Sequence, residues 1–139
     1  MRIPLLALAL SALPLCAAAQ TAGLPAPGDT VRYVAVSAGR ETGQELIWRD
    51  ADGTVHSRME YNDRGRGPAI HTRLRLDAGG LPVFIEAEGV NYYKAPVRER
   101  FELRDGRAVW ENDADRGDQP VSGPAWYAAL DASVENGVL

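Results

Sequence analysis

Cysteine is nearly absent from this sequence: Cys16 is the only one in 139 residues, so no disulfide can form within the chain. A hydrophobic core must therefore hold the fold. Histidine is scarce too, with only His56 and His71. The chain has no His-x-His and no His-Glu-x-x-His, while catalytic zinc takes three protein ligands and an open position. No serine stands in a Gly-x-Ser-x-Gly elbow. Positive charge is in deficit, with 15 Lys and Arg against 19 Asp and Glu. That balance argues against a nucleic-acid binder, which needs a basic stripe. Internal repeats and low-complexity segments are also lacking.

The start of the chain reads as a signal peptide over residues 1–19. Arg2 supplies a positive n-region, Ile3 to Leu15 an uncharged and mostly apolar run, and Ala17-Ala18-Ala19 a small-residue cleavage site. The apolar run is short of the roughly 20 residues of a bilayer span. A lipoprotein reading would lipidate Cys16, but Leu15 stands where that cleavage wants a small residue. Cleavage after Ala19 removes the one cysteine and predicts a periplasmic or extracellular protein with no membrane span. Residues 20–30, with two prolines and two glycines, read as a linker.

From residue 31 to 112 apolar and polar residues alternate in short runs. Val55, Ser57, Met59 and Tyr61 fall on one side of a strand, with His56, Arg58 and Glu60 on the other. Ile70, Thr72, Leu74 and Leu76 repeat this against His71, Arg73 and Arg75; Val97, Phe101 and Leu103 against Arg98, Arg100, Glu102 and Arg104. Gln44 to Asp50 divides its apolar residues, with Leu46 and Trp48 on one face and Ile47 on the other. Asp52-Gly53 and Asp105-Gly106 are turn signals. Parallel strands need crossovers of a dozen or more residues, and the connections are too short for them. The fold predicted is all-β: a curled antiparallel meander of six to seven strands, a half-barrel or open barrel. Residues 113–139 read as a polar loop, then a short helix opening at Pro124. The uncapped Gly137-Val138-Leu139 looks like an end cut inside an element.

Candidate sites are sparse. His56 and His71 lie on the polar faces of their strands among arginines, so they read as solvent-facing side chains. Glu86 and Glu88 share one strand face about 7 Å apart, an arrangement common on outer faces. Glu99 is in phase with Val97, Phe101 and Leu103; a buried carboxylate needs a partner, and Arg66 or Arg64 is within the candidate loop that can supply one. That loop is Tyr61-Asn62-Asp63-Arg64-Gly65-Arg66-Gly67-Pro68. Its glycines and proline shape a tight connection, Asn62 and Asp63 can cap backbone N–H groups, and two arginines can grip an anion. Tyr92-Tyr93, Trp48, Trp110 and Trp126 read as core or interface residues.

The loop resembles a Tyr-x-Asx-x-Gly-Arg-Gly-Pro segment near the N-terminus of large exported bacterial amidohydrolases. Gly80-Leu81-Pro82, Gly89, Pro96-Val97, Glu99-Arg100-Phe101, Ala108-Val109-Trp110 and Asp115-Arg116-Gly117 are similar to the same region. The resemblance runs from about Val31 to Leu139. It implies a β-rich leader before a metal-dependent (β/α)₈ barrel that hydrolyses C–N bonds with a metal-activated water. The histidines, lysine or glutamate, and aspartate that hold divalent metal such as zinc in that family have no counterparts here, so no catalytic or metal-binding residue carries over. No cofactor is expected in this chain itself.

Three readings follow. The first is a non-catalytic N-terminal β-domain, or fragment, of an exported amidohydrolase-like protein, packing on a downstream barrel or a partner subunit. The second is a stand-alone periplasmic β-module holding a lipophilic ligand or a protein partner, with Tyr33, Met59, Phe101 and Trp110 as lining residues. The third is a hydrolase in its own right.

Overall fold

The computed structural model describes residues 24–127. Eight strands follow one another: β1 (Thr30–Ser37), β2 (Arg40–Arg49), β3 (Val55–Tyr61), β4 (Ala69–Leu76), β5 (Pro82–Val90), β6 (Pro96–Arg104), β7 (Arg107–Asn112) and β8 (Arg116–Pro120). Each pairs antiparallel with the next, giving one open sheet in sequence order. The all-β antiparallel expectation holds, but the strand count rises to eight. The added strand is β8, in a stretch expected to be loop. Its polar sequence, Arg116-Gly117-Asp118-Gln119-Pro120, carries no alternation because it is an edge strand with little to bury. Residues 124–127 are not helical. The rest of the expected helix, and the signal segment 1–19, lie outside the described residues.

Short turns set the register. Asp105-Gly106 and Ala38-Gly39 both take positive φ at their two central residues. That is the turn whose twist matches paired antiparallel strands.

The core lies on one face and is built in rows across the sheet. Val55, Leu74, Ile85, Phe101 and Trp110 stand opposite one another on successive strands. Val55, Leu74, Ile85 and Phe101 are all at most 5% exposed. The adjacent row is Ile47, Ser57, Thr72, Ala87 and Glu99. Ser57 and Thr72 are fully buried there, and the Ser57 hydroxyl donates to Glu45 Oε1 at 2.6 Å. Leu24 and Tyr127, from outside the sheet, pack on this core. Strand β2 puts Ile47 inward and Trp48 outward, which settles its divided pattern.

The opposite face is a ladder of charge. Glu86 takes ion pairs from Arg73 and Arg100 on the two flanking strands. Arg100 also reaches Glu102 at 3.5 Å. The arginines are about half exposed while the Glu86 side chain is only 13% exposed; the ladder keeps this face polar and fixes which side of each strand is inward.

Candidate functional site

Two clusters gather chemistry-bearing side chains. The first is the Tyr61–Pro68 connection, which is a miniature hairpin. Asp63 and Arg66 exchange both backbone hydrogen bonds, at 2.7 and 3.0 Å, around Arg64-Gly65. Arg64 and Gly65 both have positive φ. The Asn62 side-chain oxygen accepts from Gly65 N–H at 2.9 Å, so the capping role expected of it is present.

This hairpin is docked on the turn between β5 and β6. The Tyr92 hydroxyl donates to Asp63 Oδ2 at 2.8 Å, and Lys94 Nζ donates to the Gly67 carbonyl at 2.7 Å. Gly67 N–H in turn donates to the Tyr92 carbonyl at 3.0 Å. The Tyr92 hydroxyl, then Arg64, hold the Asp63 carboxyl below its ordinary 3.8; the same bond raises the Tyr92 phenol above its ordinary 10.0. Gly67 has to be glycine: a Cβ there would lie 2.2 Å from the Tyr61 carbonyl oxygen.

The two arginines are engaged separately. Arg64 bonds Asp63 at 3.1 Å, and the Arg66 guanidinium lies 5.6 Å from the Tyr92 ring centroid. Glu99 is buried, at 5% exposed, and accepts a hydrogen bond from the Tyr127 hydroxyl at 2.6 Å. Tyr127 also stacks on Phe101, with ring centroids 4.4 Å apart. Arg66, which the sequence offers as the partner of Glu99, is exposed and sits at Tyr92 instead. No local sequence signal assigns these roles to Tyr92, Lys94 or Tyr127, because their contacts depend on strand register.

The second cluster is on the charged face. Trp48 stands opposite His56, and their rings stack at 4.8 Å with planes 7° apart. His71 extends the stack, 5.4 Å from His56 and 5.8 Å from Trp48. His56 Nε2 lies 3.0 Å from Asp50 Oδ2, and His56 Nδ1 lies 3.1 Å from His71 Nε2. These distances fit the tautomer in which His56 Nε2–H donates to Asp50 and His56 Nδ1 accepts from His71 Nε2–H. Burial, then the His56, Arg73 and Arg58 charges, push the His71 pKa below its ordinary 6.5, while Glu88 raises it. An open groove of about 440 Å³ lies beside the stack, lined by Trp48, Arg58, Glu60, His71 and Glu88 among others. The expectation of solvent-facing histidines needs amending for His56, whose side chain is only 12% exposed.

The expected lipophilic lining set is dispersed. Phe101 is core and covered by Tyr127, Met59 and Trp110 pack against that core, and Tyr33 is 46% exposed. Among the described residues, no helix is long and apolar enough to cross a membrane. No family model, curated protein or solved structure matches the chain.

Proposed function

We propose that the chain is a non-catalytic N-terminal β-domain, or a fragment of one, from an exported amidohydrolase-like protein. Full-length relatives of that kind would hydrolyse C–N bonds with a metal-activated water in a downstream barrel. The observation that supports this reading is the docking of the Tyr61–Pro68 hairpin. The residues that carry the resemblance are engaged in internal contacts, Asp63 with Tyr92 and the Gly67 carbonyl with Lys94. Those contacts tie β3 and β4 to the β5–β6 turn, a structural task. The exposed Tyr33, Val34 and Val36 of edge strand β1, with exposed Trp126, offer apolar surface for a neighbouring domain or partner subunit. In this reading the sheet curls as a half-barrel and zinc or a similar divalent ion belongs to the barrel.

Sequencing the intact gene past the Leu139 codon tests this directly. An in-frame barrel with His-x-His is expected; a stop codon there would overturn the reading. Incubating the purified chain with zinc or manganese and a panel of linear and cyclic amides should give no turnover. Hydrolysis that His56→Ala or His71→Ala abolishes would establish an enzyme instead.

The alternative is a stand-alone module that binds a lipophilic molecule or a protein. The open sheet and exposed Tyr33 favour it. Lipid co-purifying with a monomer, and lost on Tyr33→Ala, would select it.

A further inference from the structure

Three groups on the charged face stand in a relation that the proposed function does not use. His56 Nδ1 and His71 Nε2 face each other at 3.1 Å, and the far nitrogen of His56 is held by Asp50 at 3.0 Å. Two nitrogens bound to one tetrahedral ion at 2.0–2.1 Å lie about 3.3 Å apart. The two nitrogens are therefore about as far apart as two ligands of one ion, which would sit to the side of the line joining them once both rings turn to aim at it. A carboxylate on the outer nitrogen of a ligating histidine is the usual second partner at metal sites, since it fixes the tautomer and raises ligand basicity.

We propose that His56 and His71 form a surface site for a borderline divalent transition ion such as Cu²⁺ or Zn²⁺, with Glu88 as third ligand. Binding takes the other neutral tautomer of His71, its proton moving by solvent exchange from Nε2 to Nδ1 with no net release, and leaves Asp50 bonded to His56 Nε2–H. Three ligands are not already gathered among the described residues. Glu88 is directly opposite His71 on β5, and side chains so placed have Cβ atoms about 4.5–5.5 Å apart. The Glu88 side chain lines the same groove, and it is exposed.

The nearby arginines raise an objection, because like charge opposes a cation. The structure answers it in part. Arg58 pairs with Glu60 at 3.1 Å, and Arg73 pairs with Glu86. Trp48 fixes the ring planes from one side, so the imidazoles lose little rotational freedom on binding. The neutral imidazoles prefer Cu²⁺ over Zn²⁺ and both over Mg²⁺ or Ca²⁺.

Calorimetric titration of the purified chain with Cu²⁺, Zn²⁺ and Mg²⁺ tests the site, with histidine side-chain NMR as a second readout for Zn²⁺. One equivalent of Cu²⁺ or Zn²⁺ should bind, none of Mg²⁺, and the ring signals of both histidines should shift. His71→Phe keeps a ring in the stack but removes the nitrogen; it should weaken binding by about tenfold or more. Glu88→Gln should weaken it less. If His71→Phe loses the native circular dichroism, His71→Gln carries the same expectation. Equal affinity in the folded His71 variant, unshifted histidine signals, or no saturation at millimolar metal would overturn the proposal. Metal binding without amide hydrolysis would leave the proposed function intact, so the two readings fail separately.

Discussion

The four central strands and the two edge strands obey different rules. In β3 to β6 the buried residues of the strand middles fall at every second position, such as Ile70, Thr72 and Leu74 or Val97, Glu99 and Phe101, while the strand ends are partly exposed and Pro82 is buried out of phase with Ile85. Strand β1 is valine-rich yet exposed at seven of its eight positions. Strand β8 is polar, contains a proline and hides only Gly117, on which the Trp110 ring lies. Composition alone would rank β1 as core and β8 as loop. What separates centre from edge is whether a strand has neighbours on both sides, and that is a property of the whole sheet.

The comparison can be broken or sharpened by substitution. Ile85→Ala, at a position 1% exposed in the central row, should cost about 2–5 kcal/mol, read from the urea midpoint. A change within about 0.5 kcal/mol would mean that the row is not packed. Gly89→Ala should come next, at more than about 1 kcal/mol by the same measurement. Gly89 has φ 149°, and a Cβ there would lie 2.0 Å from the Ala69 carbonyl oxygen. The pH dependence of stability should show a smaller effect. His71 titrates below its ordinary 6.5 in the fold, so the unfolded chain binds more protons between the two values. The stabilisation is present above about pH 6.5 and is lost as pH falls through the folded value. His71→Phe should flatten that part of the profile of thermal midpoint against pH; an unchanged slope would place its origin elsewhere. Val36→Thr on β1, 66% exposed, should be smallest, within about 0.5 kcal/mol. A loss near that of Ile85→Ala would show that β1 is covered in solution.

Much of the fold was legible because the period of two is local. The inward set of β3, the inward set of β4, and the odd phase of Glu99 can all be read without knowing any neighbour. Leu46, Ile47 and Trp48 could not be resolved that way, because three consecutive apolar residues fit either face. Register with β3 decides, placing Trp48 opposite His56 and Ile47 opposite Ser57. The histidine cluster was legible only in part: His56 and His71 are both outward by parity and so could pair across the sheet, but their diagonal approach depends on the register of β3 with β4. Glu99 shows the limit most clearly. Its burial followed from phase, whereas Tyr127, 28 residues along the chain, had no local signal.

By itself the sequence determined the strands of the sheet's interior, their inward sides and the tight turns between them, because steric alternation and turn chemistry act over a few residues. Only the tertiary structure decided which apolar strand stays exposed, which polar stretch becomes β8, and which side chains meet as Asp63 with Tyr92 or His56 with His71. Those contacts join residues far apart in the chain, and they exist only once every intervening strand has taken its register.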